Sequence, residues 1–136
     1  MDPGDFDALL AACIARVGEI ALALPETHEE DAWKGVRWRI RQRTFAWVAP
    51  VDGTSPAITR AAGTSDLGIV LTISSDGDER DALVRVGHPF FPTPWSPTRI
   101  GMHLGEATHW DEVAELVTES YCLLAPKKLV NLVARP

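Results

Sequence analysis

The 136-residue sequence predicts an α+β fold: helices on one face of a mostly antiparallel sheet of about five strands, in the order α-β-β-β-α-β-β-α. Three observations carry that reading. Residues 5–24 place Phe6, Leu9, Leu10, Cys13, Ile14, Val17, Ile20 and Leu24 at three- and four-residue steps, the stripe of an amphipathic helix. Residues 36–41 alternate strictly, Val36, Trp38 and Ile40 to one side and Arg37, Arg39 and Arg41 to the other, the period of a strand. A second alternating run begins with Phe45 and Trp47 after a short polar turn near Gln42, and strands joined by a hairpin are antiparallel.

Each element follows from local chemistry. Asp2 or Asp5 caps the first helix, and Pro25 ends it. Thr27-His28-Glu29-Glu30 has the spacing of a capping box and predicts a short helical turn leading to Trp33. The second hairpin strand runs from Thr44 to Ala49, closed by Pro50; residues 50–66 read as loop with one helical turn after Pro56. Leu67–Ser74 is a third strand with apolar residues on both faces, hence central. Asp76–Val86 is a helix with Leu83 and Val86 inward, stopped by Gly87. His88–Phe91 is extended, Pro92–Pro97 cannot be helical, and Arg99–Leu104 alternates as a strand. Trp110–Leu124 is the last long helix, with Thr108 as its cap, and Pro126 opens a short helical piece. Residues 1–136 read as a single domain without repeats or linkers.

Charge is segregated. Residues 34–43 hold Lys34, Arg37, Arg39, Arg41 and Arg43 and no acid, on a chain whose net charge is -6. Guanidinium forks suit phosphate because they stay charged and bind it through two planar donors. Alternate residues on a strand lie about 6.5–7 Å apart, close to the phosphate repeat of a nucleic-acid strand. Two readings stand for this row. It binds an anion, DNA above all, weakly and with strong salt dependence; or it solvates the sheet and is neutralised by Glu29, Glu30 and Asp31.

Other chemistries are thinner. The histidines lack metal spacing, no serine or cysteine sits in a nucleophile elbow, and no glycine-rich phosphate loop occurs, so no enzyme, metal or cofactor is expected. Cys13 and Cys122 sit within helical stripes as buried thiols. Of the five tryptophans, Trp38 and Trp110 belong to apolar faces, whereas Trp33 and Trp95, at element ends, are candidates with His88 to line a cleft. The proline-rich strip His88–Trp95 packs on a sheet edge or docks a partner. No apolar run is long enough for a bilayer, and the acidic N-terminus is unlike a signal peptide, so the expected location is cytoplasmic.

The chain resembles the MmcQ/YjbR-like family of small bacterial proteins. The matching pieces are Leu24-Pro25-Glu26 followed by acids and Trp33, Trp38-Arg39-Ile40, Arg43-Thr44-Phe45-Ala46-Trp47, and Phe91-Pro92-Thr93-Pro94-Trp95. Near the end come Leu116-Val117-Thr118-Glu119-Ser120-Tyr121 and Pro126-Lys127-Lys128-Leu129. The resemblance implies a two-layer domain of the kind shared with secretion chaperones, and a DNA-binding role through a double-wing arrangement of hairpins. It brings no catalytic residues. The chain departs from the family at Arg41-Gln42, where small residues are usual, and in the long 50–66 connection. The chaperone-like fold gives the alternative: a protein-interaction adaptor, with a protein partner or a second copy on the sheet face or the proline-rich strip.

Overall fold

The two long helices and the hairpin form as expected, and they enclose the main core. The computed structural model describes residues 2–63 and 67–134. In chain order the elements are α1 (Pro3–Leu22), β1 (Thr27–Asp31), β2 (Val36–Ile40), β3 (Arg43–Val51), α2 (Pro56–Ala62) and β4 (Gly68–Ser74). They continue with α3 (Gly77–Val86), β5 (Phe90–Pro92), β6 (Arg99–Leu104), α4 (Trp110–Leu124) and α5 (Lys127–Val130). The sheet is six-stranded, in the order β1-β2-β3-β4-β6-β5, and every neighbouring pair is antiparallel. No described helix is long and apolar enough to cross a membrane.

Alternation along the strands separates two faces. Trp38, Ile40, Val48, Leu71, Ile73, Ile100 and Met102 point toward α1 and α4, where they meet Cys13, Val17, Val113, Val117 and Tyr121. Burial at these positions raises the Cys13 thiol pKa, and Cys122 is half-buried; neither cysteine forms a disulfide. The Trp38 indole is fully buried, yet its N–H donates to Glu29 Oε1 at 2.9 Å, so no donor is stranded. Trp110 is half-buried, with the Arg16 guanidinium 4.9 Å from its ring. The opposite face is covered only in part. There α2 lays Ile58 and Ala62 on Ala49, Val51, Val70 and Phe91, so one short helix departs from the expected single helical face.

Four local expectations are corrected. Thr27–Asp31 is a strand rather than a helical turn. The Thr27 hydroxyl turns back to carbonyls at and just past the end of α1, Ala21 O at 2.9 Å and Leu24 O at 3.0 Å, instead of capping forward. Glu30 then stands opposite Arg37 across the β1–β2 pair and within reach of Arg39, a charge match that a helical turn cannot make. Second, β3 runs through Pro50. The Val48 carbonyl faces Gly35 on the β2 side, and Pro50, two residues on, points to the same edge beyond the last β2 pair, Val36↔Val48. Its missing N–H therefore removes no ladder bond. Third, Val86 is 67% exposed, while Leu83 and Val84 face the core. Fourth, the helical turn after Pro56 extends to Ala62, N-capped by the Ser55 hydroxyl; residues 64–66 of the expected loop lie outside the described residues.

The proline-rich strip meets the sheet edge. Phe90–Pro92 forms β5 on β6, and the Phe91 ring lies over Gly101, where a Cβ would fall 2.2 Å from it. Tyr121 ties the end of α1 to α4: its ring meets Phe45 edge-on at 5.4 Å and its hydroxyl donates to Pro25 O at 2.7 Å. Tyr121→Phe keeps the ring and strands that carbonyl, so a loss of about 1 kcal/mol is expected, read as a lower urea midpoint at unchanged slope.

Candidate functional site

The hairpin places its five cations in three different settings. Its loop is the two-residue turn Arg41-Gln42, with Arg41 in the left-handed region at φ 55. Arg39 braces that turn by donating to Gln42 O. Arg37 and Arg39 stand on the face opposite the main core, and both reach Glu30 Oε1: Arg37 through Nε at 2.6 Å and a terminal nitrogen, Arg39 through Nη1 at 3.3 Å. Lys34 sits at the far end, held by Thr54 and by Asp52 at 3.5 Å. Arg41 turns to Glu26 at 3.8 Å and, with Arg43, lines a groove against Leu124 and Pro126 at the end of α4. Arg43 makes no ion pair among the described residues.

Neutralisation is therefore partial. Of the three acids expected to offset the row, only Glu30 does so. Glu29 serves the Trp38 indole, and Asp31 makes no ion pair among the described residues. The hydrogen bond from Arg37, with charge from Arg37 and Arg39, holds the Glu30 carboxyl below its ordinary value of 4.5. A carboxyl depressed in the folded state stabilises the fold above its unfolded pKa and ceases to do so as pH falls through its folded pKa. Carbon NMR should thus find Glu30 titrating below 4.5, and Arg37→Met should move that midpoint upward.

The geometry adds a concavity beside this row. Glu30, Arg37, Trp47, Thr72, Gly101 and Phe91 are successive register partners across all six strands, so they form one line on the face away from α1 and α4. Trp47 joins that line because β3 carries a bulge: Trp38 pairs with Ala46 and Arg39 with Thr44, leaving Phe45 as the extra residue. Where α2 does not reach, the line opens into a cleft of about 410 Å³ lined by Trp33, Arg37, Thr44, Trp47, Thr72, Trp95 and Arg99. Trp33 overhangs from the β1–β2 turn and is 82% exposed; Trp95 comes from the β5–β6 loop and is 45% exposed.

Both overhangs are pinned. Trp33 precedes Lys34, whose carbonyl accepts from Trp47 Nε1 at 2.5 Å, and the turn is closed by Ala32 N–H on Gly35 O at 3.1 Å. The Trp95 loop is held by the Thr93 hydroxyl on Ser96 O and Arg99 O, both at 3.0 Å, and by Arg80 Nε on Arg99 O at 2.7 Å. Arg99 donates to Thr44 O at 2.7 Å and has no carboxylate within reach among the described residues; burial pulls its pKa down, yet a guanidinium stays charged.

The structure therefore brings Trp33 and Trp95 together and leaves His88 apart. His88 stacks on His103 at 5.3 Å in a separate depression near α2, and His103 Nε2 lies 3.1 Å from Ala62 O. Sequence reasoning missed Trp47 and Arg99 as cleft residues. The inward set Ile100, Met102 and Leu104 already turns Arg99 to the arginine face; nothing in the sequence places β6 next to β4.

Comparison with known proteins agrees with this fold. The family model described as YjbR matches residues 22–123. No curated protein matches the chain. Among solved structures, the chain is similar to Deinococcus radiodurans protein DR2400, a DUF419 domain, with a TM-score of 0.60 at 14% identity over 88% of this chain and 86% of that one. At that identity the likeness is one of fold.

Proposed function

Taking as premise that this chain belongs to the YjbR family, we propose that it is a non-enzymatic binding protein for nucleic acid, most simply DNA, engaged through the β2–β3 hairpin. The supporting observation is an imbalance: Lys34, Arg37, Arg39, Arg41 and Arg43 share three carboxylates, Glu26, Glu30 and Asp52, so cationic charge remains on an otherwise acidic chain. Arg99 adds a further guanidinium without a carboxylate on the same face as Arg37. Phosphates meeting Arg37 on the open face, or Arg43 at the turn, are held by charge and hydrogen bonding. Such contacts position a strand without reading its sequence. Glu30 competes with them, which keeps affinity low and strongly dependent on salt.

The test is charge reversal. Arg37→Glu with Arg43→Glu should abolish retention of DNA at low salt, and Arg43→Ala alone should lower the salt slope by about 0.7–0.9. Unchanged retention in the reversed variant, or no binding by the parent, defeats the proposal. A protein partner or homodimer is the competing reading, favoured by one observation: an indole as exposed as Trp33, at 82%, is a common anchor of protein interfaces. Light scattering distinguishes them, since a stable dimer that buries the hairpin leaves no surface for a strand.

A further inference from the structure

We infer that the cleft between Trp33, Trp47 and Trp95 takes one unstacked nucleobase of a single strand, with its phosphate on Arg37 and Arg99, so that the protein prefers single-stranded to duplex nucleic acid. This rests on the nucleic-acid reading above and assigns it a ligand form. Three separate elements bring the indoles to one place: the β1–β2 turn, strand β3 and the β5–β6 loop. An indole face stacks on any base, so the arrangement tolerates sequence while requiring that the base be out of its duplex stack.

The size is consistent with this. A cleft of about 410 Å³ falls in the range of small-ligand sites and suits one nucleotide, not the breadth of a double helix. Polarity points the same way. Thr44 and Thr72 are the neutral polar residues of the lining, and of the two guanidiniums only Arg37 meets a carboxylate, Glu30, Arg99 having none within reach among the described residues. Preorganisation completes the case: a large exposed aromatic is ordinarily free to move, whereas here the turn bearing Trp33 and the loop bearing Trp95 are both tied by backbone hydrogen bonds. The backbone that carries each indole is then already ordered, and only the side-chain rotamers remain to be fixed on binding.

Fluorescence anisotropy of the full chain with a labelled oligothymidine of about 12 nucleotides, and with a duplex of equal length, tests the inference. Trp33→Ala and Trp95→Ala remove exposed side chains, and unchanged thermal melts will confirm that both variants fold. Each should weaken single-strand binding roughly 5- to 150-fold while changing duplex binding by less than about twofold. An abasic strand of the same length should bind the parent as weakly as the normal strand binds Trp95→Ala. Single-strand binding that ignores both substitutions, or a parent that holds duplex as tightly as single strand, overturns the base site and leaves the phosphate reading standing. Binding of neither form overturns both.

Discussion

Gly35→Ala is expected to cost more than about 3 kcal/mol, from left-handed backbone strain and an unavoidable clash. Gly35 sits at φ +75, and a Cβ there would lie 1.8 Å from Val48 O, 2.8 Å from Val48 C and 2.9 Å from Ala49 Cα. These are backbone atoms of a central strand, so no rotamer change relieves the overlap. Val48 cannot retreat either. It pairs with Leu71 on its other side, and its side chain is fully buried against the helices. Against a typical total of 5–15 kcal/mol for a domain, the substitution should lower the melting temperature by roughly 10 °C or more. It should also displace the turn that presents Trp33 and Lys34, so residual folded protein should bind oligonucleotide less well than the parent. A variant within about 1 kcal/mol of the parent would show that the turn yields where the backbone says it cannot.

Ser120→Ala is expected to cost about 2–4 kcal/mol, although it removes a single atom. Ser120 on α4 has no exposure; its hydroxyl donates to Phe45 O at 2.6 Å and accepts from Ser74 N–H at 2.8 Å. Phe45 is the bulge residue of β3, and Ser74 is the last residue of β4. One hydroxyl thus satisfies two backbone groups in the core beneath the site. Alanine strands both, in a place where Ser120, Tyr121 and Phe45 are all fully buried. Urea unfolding should show the loss, and hydrogen exchange at the Ser74 amide should quicken. A neutral result would mean that the bulge repairs its own bonding.

The pieces that carried the family resemblance turn out to hold the frame of the site. Tyr121 bonds Pro25, Ser120 bonds Phe45, and Thr93 pins the loop that bears Trp95. The bulge at Phe45 has a functional consequence as well as a structural one. Without the extra residue, Trp47 would not be the cross-strand partner of Arg37 on the open face. Simple alternation through Phe45 and Trp47 sets both rings on one face; the bulge sends Phe45 to the main core and Trp47 to the cleft.

What the residues determine unaided is what acts within a few positions of itself. The stripe of α1, the alternation of β2 with Trp38 inward, the turn at Gln42 and the concentration of cations at 34–43 follow from periods of 3.6 and 2 and from counting charge. Tertiary structure decided the rest, because each remaining feature depends on groups far apart in sequence. Thr27–Asp31 is a strand because Thr27 found the end of α1 and Glu30 found Arg37. The arginine row is divided because Asp52, Glu30 and Glu26 come from different elements. The cleft exists because the sheet order sets β6 beside β4, carrying Arg99 to Thr44 across 55 residues of chain. Burial of one face fixes that order, and no local pattern records which distant strand will supply the neighbour.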